Sequence, residues 1–198
     1  VAVPGLTEEE RLRWLAEVKV LKAFYHFWLL RMYGPIPIIR DNLYVGVSLE
    51  ETQVSRNSVD SVVEYIVELI DEVIESDALP GIISYIYTEQ GRITLPIAKA
   101  IKAKALVLAA SPIFNGNTDF SELIDDNGNF LVSQTYDPNK WVLAKEALFD
   151  AIISAEENGH SLYEFTTQIP INGEINDVIT QELSHRAGIT DPFNSEID

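Results

Sequence analysis

A chain of 198 residues with 46% hydrophobic and 10% aromatic content is long and apolar enough to bury a core, which excludes a wholly disordered segment. A formal net charge of -17 argues against a nucleic-acid partner, because phosphate backbones are held by clustered Lys and Arg, and it disfavours an anionic membrane surface. Cysteine is absent, so disulfides, thiolate nucleophiles and Cys-based metal sites are removed together.

The first helical period runs from Glu8 to Tyr33, with Leu12, Leu15, Val18, Leu21, Tyr25, Trp28 and Met32 recurring at steps of three and four. Thr7 and Glu10 form a capping box at its start, and Gly34-Pro35 ends it. The second helix, Ser58 to Asp77, carries Val59, Val62, Ile66, Leu69 and Val73 on one stripe and an acidic opposite face, Glu64, Glu68, Asp71, Glu72 and Glu75, read as solvated surface. The third, Leu95 to Ala110, is alanine-rich, with Thr94 as its cap and Pro96 in its first turn. Arg92, Lys99, Lys102 and Lys104 make it the basic stretch, expected to complement the acidic second helix. Asn115-Gly116 and Asp126-Asn127-Gly128 then punctuate a loop whose arms, Phe120 to Ile124 and Phe130 to Val132, read as a small β-hairpin. The fourth helix takes Asp137 as N-cap and Pro138 at its first position, and stops at Asn158-Gly159. Beyond it the chain turns irregular, with one short helical stretch near Asp177 to His185.

The expected fold is therefore mainly α, tetratricopeptide-like stacked helical hairpins with long loops, although no strict repeat period is visible. Residues 1–165 form the helical region, and 166–198 an irregular segment. No stretch reaches the roughly 20 apolar residues of a spanning helix, and Val1 to Thr7 lacks the basic region of a signal peptide. Without an initiator methionine at Val1, and with no closing element at Asp191 to Asp198, the chain reads as a trimmed or partial product.

The chemistry-bearing motifs fail one after another. There is no G-x-S-x-G, no phosphate-cradling glycine loop and no H-E-x-x-H pair. His26, His160 and His185 are isolated, and His26 lies among aromatics, which marks a hydrogen-bonded core histidine. Asp125 to Asn129 fails as an EF-hand, since Phe130 stands where the loop needs glycine and Tyr136 where it needs glutamate, so it reads as an Asx-stabilised turn. Acidic residues are abundant, but none sits in an apolar run that would raise its pKa for general-acid work. No catalytic, cofactor-binding or metal-ligating residue is assigned. Flat rings suit the apolar faces of sugars, and Tyr44, Tyr85 and Tyr87 are the loop aromatics placed to offer them. Trp14, Trp28 and Trp141 stand at helical core spacing and are expected in packing.

Three stretches in order resemble the RagB/SusD family of surface nutrient-binding lipoproteins: EVKVLKAFYHFWLLRMYGPIPII (Glu17 to Ile39), GRITLPIAKAIKAKALVLAASPIFNGN (Gly91 to Asn117) and YDPNKWVLAKEALFDAI (Tyr136 to Ile152). VEYIVELIDEVIESDALP (Val63 to Pro80) lies between the first two, and VITQELSHRAGITDPFNSEI resembles the entry to the family's next strand. The resemblance implies a non-enzymatic, lipid-anchored outer-membrane protein whose helical half docks on a TonB-dependent transporter and presents captured glycan or peptide to it. It implies no cofactor. Family members are several hundred residues long and begin at a lipidated cysteine, so anchor and carboxyl-terminal half are expected to be missing here. Family glycan contacts lie largely outside the matching segments, and no ligand residue is carried over. Two other readings stay open: a fragment of a polysaccharide-processing enzyme whose carboxylates meet only in the fold, and a helical-repeat adaptor that binds protein segments in a groove.

Overall fold

The computed structural model describes residues 4–42, 44–162, 170–171, 174–175 and 182. They fall into two compact units, Val1–Ser154 and Ala155–Asp198. The architecture is mainly helical, as the periodicity predicts.

Helix α1, Glu8–Tyr33, starts on the expected capping box: the Thr7 hydroxyl accepts from the Glu10 N–H at 3.2 Å and the Glu10 carboxylate accepts from the Thr7 N–H at 3.0 Å. Two of the four orphan donors at the helix start are thereby satisfied. Its end is set by Gly34, whose φ of 69° suits a residue without Cβ and whose N–H donates to the Leu30 carbonyl at 2.9 Å.

The face that α1 buries corrects the sequence reading. Ala16, Val20, Ala23, His26, Phe27 and Leu30 are buried, whereas Leu12, Trp14, Leu15, Val18, Leu21, Tyr25, Trp28 and Met32 are exposed. The helix carries two apolar seams, each stepping by four and three. They are offset by two residues, which is about 200° around a helix and so places them on opposite sides. Periodicity alone cannot choose between two such seams, and the structure buries the one with the smaller residues. Trp14 and Trp28 are therefore not core side chains here.

Helix α2, Val59–Ser76, is the spine of the core. The Ser58 hydroxyl caps it by accepting from the Ser61 N–H at 3.2 Å, and Asp77 closes it in the left-handed region at φ 49°. Val59, Val62, Ile66 and Ile70 are fully buried, each contributing about 1.5–3 kcal/mol of transfer free energy. α2 packs against α1 and also against α4, Leu95–Ala110. Between them lies a single turn, α3, Ile86–Glu89, which the sequence reading left as loop. Ala98, Ala103, Ala105, Ala109 and Ala110 are buried on α4, as alanine-mediated close approach requires. Thr94 precedes α4 but makes no side-chain cap bond; it is buried, and its carbonyl accepts from the Ala98 N–H at 3.1 Å.

The charge pairing differs from the simple match of α4 with α2. Lys102 does reach Asp71 of α2, at 2.5 Å, but Lys99 pairs with Asp150, and Arg92 with Glu17 and Glu89. The acidic face of α2 is met instead from several directions, by Lys19 on Glu72, Arg40 on Glu68 and Lys140 on Asp60.

The expected hairpin shrinks to one antiparallel bridge between Ile124 and Phe130, and a 3-10 turn, Thr118–Phe120, takes the start of its first arm. Its closing turn suits Asx chemistry better than long strands, because Asp125 spends its carboxylate on the loop itself. Helix α5, Asn139–Glu157, begins where Asp137 Oδ1 accepts from the Asn139 N–H at 2.9 Å and ends at Gly159, as expected. In the second unit, strands β1, Pro170–Ile171, and β2, Glu174–Ile175, pair antiparallel with Ile171 opposite Glu174. The boundary expected at 165/166, the stretch near Asp177 to His185 apart from Glu182, and His185 itself lie outside the described residues.

Candidate functional site

Tyr85 and Tyr87 stand on the one-turn α3, 73% and 101% exposed. The turn is closed by the Tyr85 carbonyl, which accepts from the Thr88 and Glu89 N–H groups at 3.1 and 2.9 Å. What anchors it is a charge cluster that sequence spacing does not show. The Glu89 carboxylate accepts from Arg13 Nη1 at 2.8 Å and from Arg92 Nη1 at 2.7 Å, and Arg92 also donates to Glu17 at 3.0 and 3.2 Å. These hydrogen bonds to Glu17, opposed by desolvation, hold the Arg92 guanidinium above its ordinary pKa. Arg13 Nε forms an ion pair with Glu17 at 3.3 Å without hydrogen-bond alignment, and it and Nη2 are buried without a hydrogen-bond partner. The cluster ties the tyrosine-bearing turn to α1 across more than seventy residues of chain. Its only sequence signal is the charges themselves, Arg13, Glu17, Glu89 and Arg92.

Tyr44 stands apart. It is 83% exposed in a turn closed by the Val47 N–H to its carbonyl, and it makes no ring contact with Tyr85 or Tyr87. The structure therefore joins two of the three tyrosines on one turn and leaves the third on another.

His26 occupies the role read for it. It is buried, its Nδ1 lies 2.8 Å from the Lys22 carbonyl, and its ring meets Tyr65 edge to face. His160 is exposed. The Asp125 loop is an Asx turn: Oδ1 accepts from the Asn127 and Asn129 N–H groups at 2.9 and 2.8 Å and Oδ2 from the Asn129 side chain at 2.9 Å. Those bonds, the Asn129 side chain first, pull the Asp125 carboxyl below its ordinary pKa. Among the described residues no group of three or more His, Cys, Asp or Glu converges as a metal site.

The described residues also line two concavities. A polar cleft of about 400 Å³ lies between residues 53–56 and 124–126, bridged by Ser55 Oγ donating to Asp126 at 3.0 Å, with Arg56 on its wall. An apolar groove of about 310 Å³ runs between α4 and α5, lined by Val107, Trp141, Leu148, Phe149 and Ile152. Trp141 is thus a half-open groove wall, 43% exposed, where the spacing had placed it in packing. Among the described residues no helix is long and apolar enough to cross a membrane.

The chain superposes on the solved structure of a protein named BT4246 with a TM-score of 0.72 and 36% identity, covering 79% of this chain and 26% of that one. The selenomethionine form of BT4246 gives 0.69 and 35%, covering 82% and 26%. A SusD-like protein, BF3747 from Bacteroides fragilis NCTC 9343, aligns at 0.56 and 19%, covering 82% and 24%. No protein-family model matches the chain, and no curated protein matches it. The helices thus define a SusD-like fold. That fold, together with the ordered motifs, supports the assignment of this partial chain to the RagB/SusD family. The chain spans about a quarter of the length of the structures it matches.

Proposed function

We propose that this chain is the helical part of a non-catalytic nutrient-binding protein of the outer-membrane surface, lipid-anchored in its longer form. In this reading it captures glycan, or peptide, and docks on a TonB-dependent transporter. The observation that carries it is the SusD-like helical fold, joined to 36% identity with BT4246 along 79% of the chain. Residues 1–165 supply the helical region, and 166–198 lead toward the rest of the protein. The main ligand site belongs to that remainder, and within this chain Tyr44, Tyr85 and Tyr87 are the candidates for glycan contact.

The test uses the longer lipoprotein and the transporter encoded beside it. Co-purification of the two supports the reading, and their failure to associate counts against docking. Calorimetry of the longer protein with a glycan panel is expected to find binding that the 198-residue chain alone lacks at micromolar strength. New reducing ends after incubation with those glycans would overturn the non-catalytic assignment.

A further inference from the structure

Asparagine is followed by glycine at Asn115, Asn127, Asn158 and Asn172. In such a pair no side chain shields the glycine nitrogen, which is free to attack the asparagine side-chain carbonyl wherever the backbone lets the two meet. Asn172 lies before Gly173, outside the described residues, and the structure treats the other three pairs differently.

Asn115 is buried, with both ends of its side-chain amide engaged by the Asp137 backbone and with Gly116 packed against the backbone of Tyr136. Asn158 is half-buried at the end of α5 and makes a further interaction of its own. Its glycine is tied in as well: the Gly159 N–H donates to the Glu156 carbonyl at 3.0 Å and the next N–H, of His160, to the Ala155 carbonyl at 3.0 Å. Asn127 is exposed, and its side chain makes no hydrogen bond among the described residues. Open space surrounds Gly128, where an added Cβ would meet nothing within 4 Å. The Gly128 N–H is held by one bond, to the Asp125 carbonyl at 3.0 Å, in an exposed turn of the kind that opens locally at little cost.

We propose that Asn127 is a self-modifying site, converting without an enzyme to isoaspartate and aspartate, so that the turn beside the polar cleft gains charge and loosens as the protein ages. The step needs no cofactor and no redox partner. The Gly128 nitrogen gives its proton to solvent base and bonds to Asn127 Cγ, the Cγ–Nδ2 bond breaks, and the side-chain nitrogen leaves as ammonia. Water then opens the cyclic imide. Cleavage between the Gly128 nitrogen and Cγ leaves aspartate, whereas cleavage at the Asn127 backbone carbonyl leaves isoaspartate, with the main chain rerouted through the side chain. Either product adds a negative charge beside Asp125 and Asp126. Isoaspartate also inserts a backbone carbon between the N–H groups of residues 127 and 129, which Asp125 Oδ1 now binds together. The inference is independent of which ligand the protein carries.

The experiment ages the longer polypeptide, folded, at mildly alkaline pH, beside a sample kept unfolded in denaturant. Peptide mapping reads asparagine, aspartate and isoaspartate at Asn115, Asn127 and Asn158. In the folded protein Asn127 is expected to convert roughly tenfold faster than either of the others, with isoaspartate among its products, and the Asn129 N–H of the aged protein to exchange faster than that of the fresh one. In denaturant the three rates should fall within about threefold of one another, since each is then the same dipeptide in open chain. Conversion of Asn127 within about twofold of either other site in the folded protein overturns the proposal. Aspartate formed without isoaspartate, unchanged exchange at Asn129 after conversion, or a rate difference that survives unfolding overturns it equally.

Discussion

Asn115 holds Asp137 by both of its backbone groups: Oδ1 accepts from the Asp137 N–H at 2.8 Å and Nδ2 donates to the Asp137 carbonyl at 2.9 Å. The side chain is buried, and through this clasp the loop after α4 sets the entry to α5. Asn115→Ala strands two backbone groups, each costing about 1–3 kcal/mol where water cannot replace the partner. We expect a loss near 2 kcal/mol in chemical denaturation, and a smaller one for Asn115→Asp, which keeps the acceptor. A loss under 0.5 kcal/mol for Asn115→Ala would refute the clasp.

Gly116 is the next link. Its φ is 79°, and a Cβ there would lie 2.6 Å from the Tyr136 nitrogen and 2.8 Å from its Cα, both backbone atoms that cannot swing aside. Gly116→Ala therefore combines a left-handed backbone with a hard contact, and about 2 kcal/mol or more of destabilisation is expected. Because Asn115 and Gly116 act on one junction, the double variant should cost less than the sum of the two, which a double-mutant cycle reads directly.

These two residues also show how far the sequence was legible. The helix ends were written locally, in Thr7 with Glu10, Asp137 and Gly34, because caps depend on neighbours three or four residues away, although Thr94, read the same way, makes no side-chain cap bond. The Phe-Asn-Gly exit of α4 was visible as a motif, but its purpose was not, since its partner lies 22 residues on. The same holds for the charge cluster that fixes Tyr85 and Tyr87, whose members meet only in three dimensions. On α1 the pattern was read correctly as helical and assigned to the wrong side, because the helix has two seams. The tryptophans followed the seam.

The Asp125 turn gives a pH prediction. Its folded-state pKa is depressed, chiefly by the Asn129 side chain and N–H, so the turn's stabilisation is present above the ordinary aspartate range and lost as pH falls through the lower folded value. The amide resonances of Asn127 and Asn129 should shift together on acidification, with a midpoint below that of a free aspartate. Asp125→Asn should abolish the shared titration. Midpoints at or above the ordinary value would show that the three bonds do not persist in solution.

Glu89 tests the anchoring of the tyrosine turn. Glu89→Gln removes the charge that Arg13 and Arg92 share in a half-buried setting, leaving two guanidinium groups close together. A loss of about 1–2 kcal/mol is expected from an interaction partly screened by solvent, together with faster amide exchange at Thr88 and residue 89, whose N–H groups close the turn. Unchanged exchange there would mean that α3 holds its shape without the cluster.

The two seams of α1 make opposite predictions in the 198-residue chain. Leu30 is fully buried between α1 and the core, so Leu30→Ala should cost about 2–5 kcal/mol, the transfer of the lost methyl groups plus the cavity left behind. Met32, two residues on and 68% exposed, loses almost nothing that is buried, and Met32→Ala should fall within about 0.5 kcal/mol. Chemical denaturation of both variants reads the difference, and a cost above about 1 kcal/mol for Met32→Ala would overturn the assignment of the two seams.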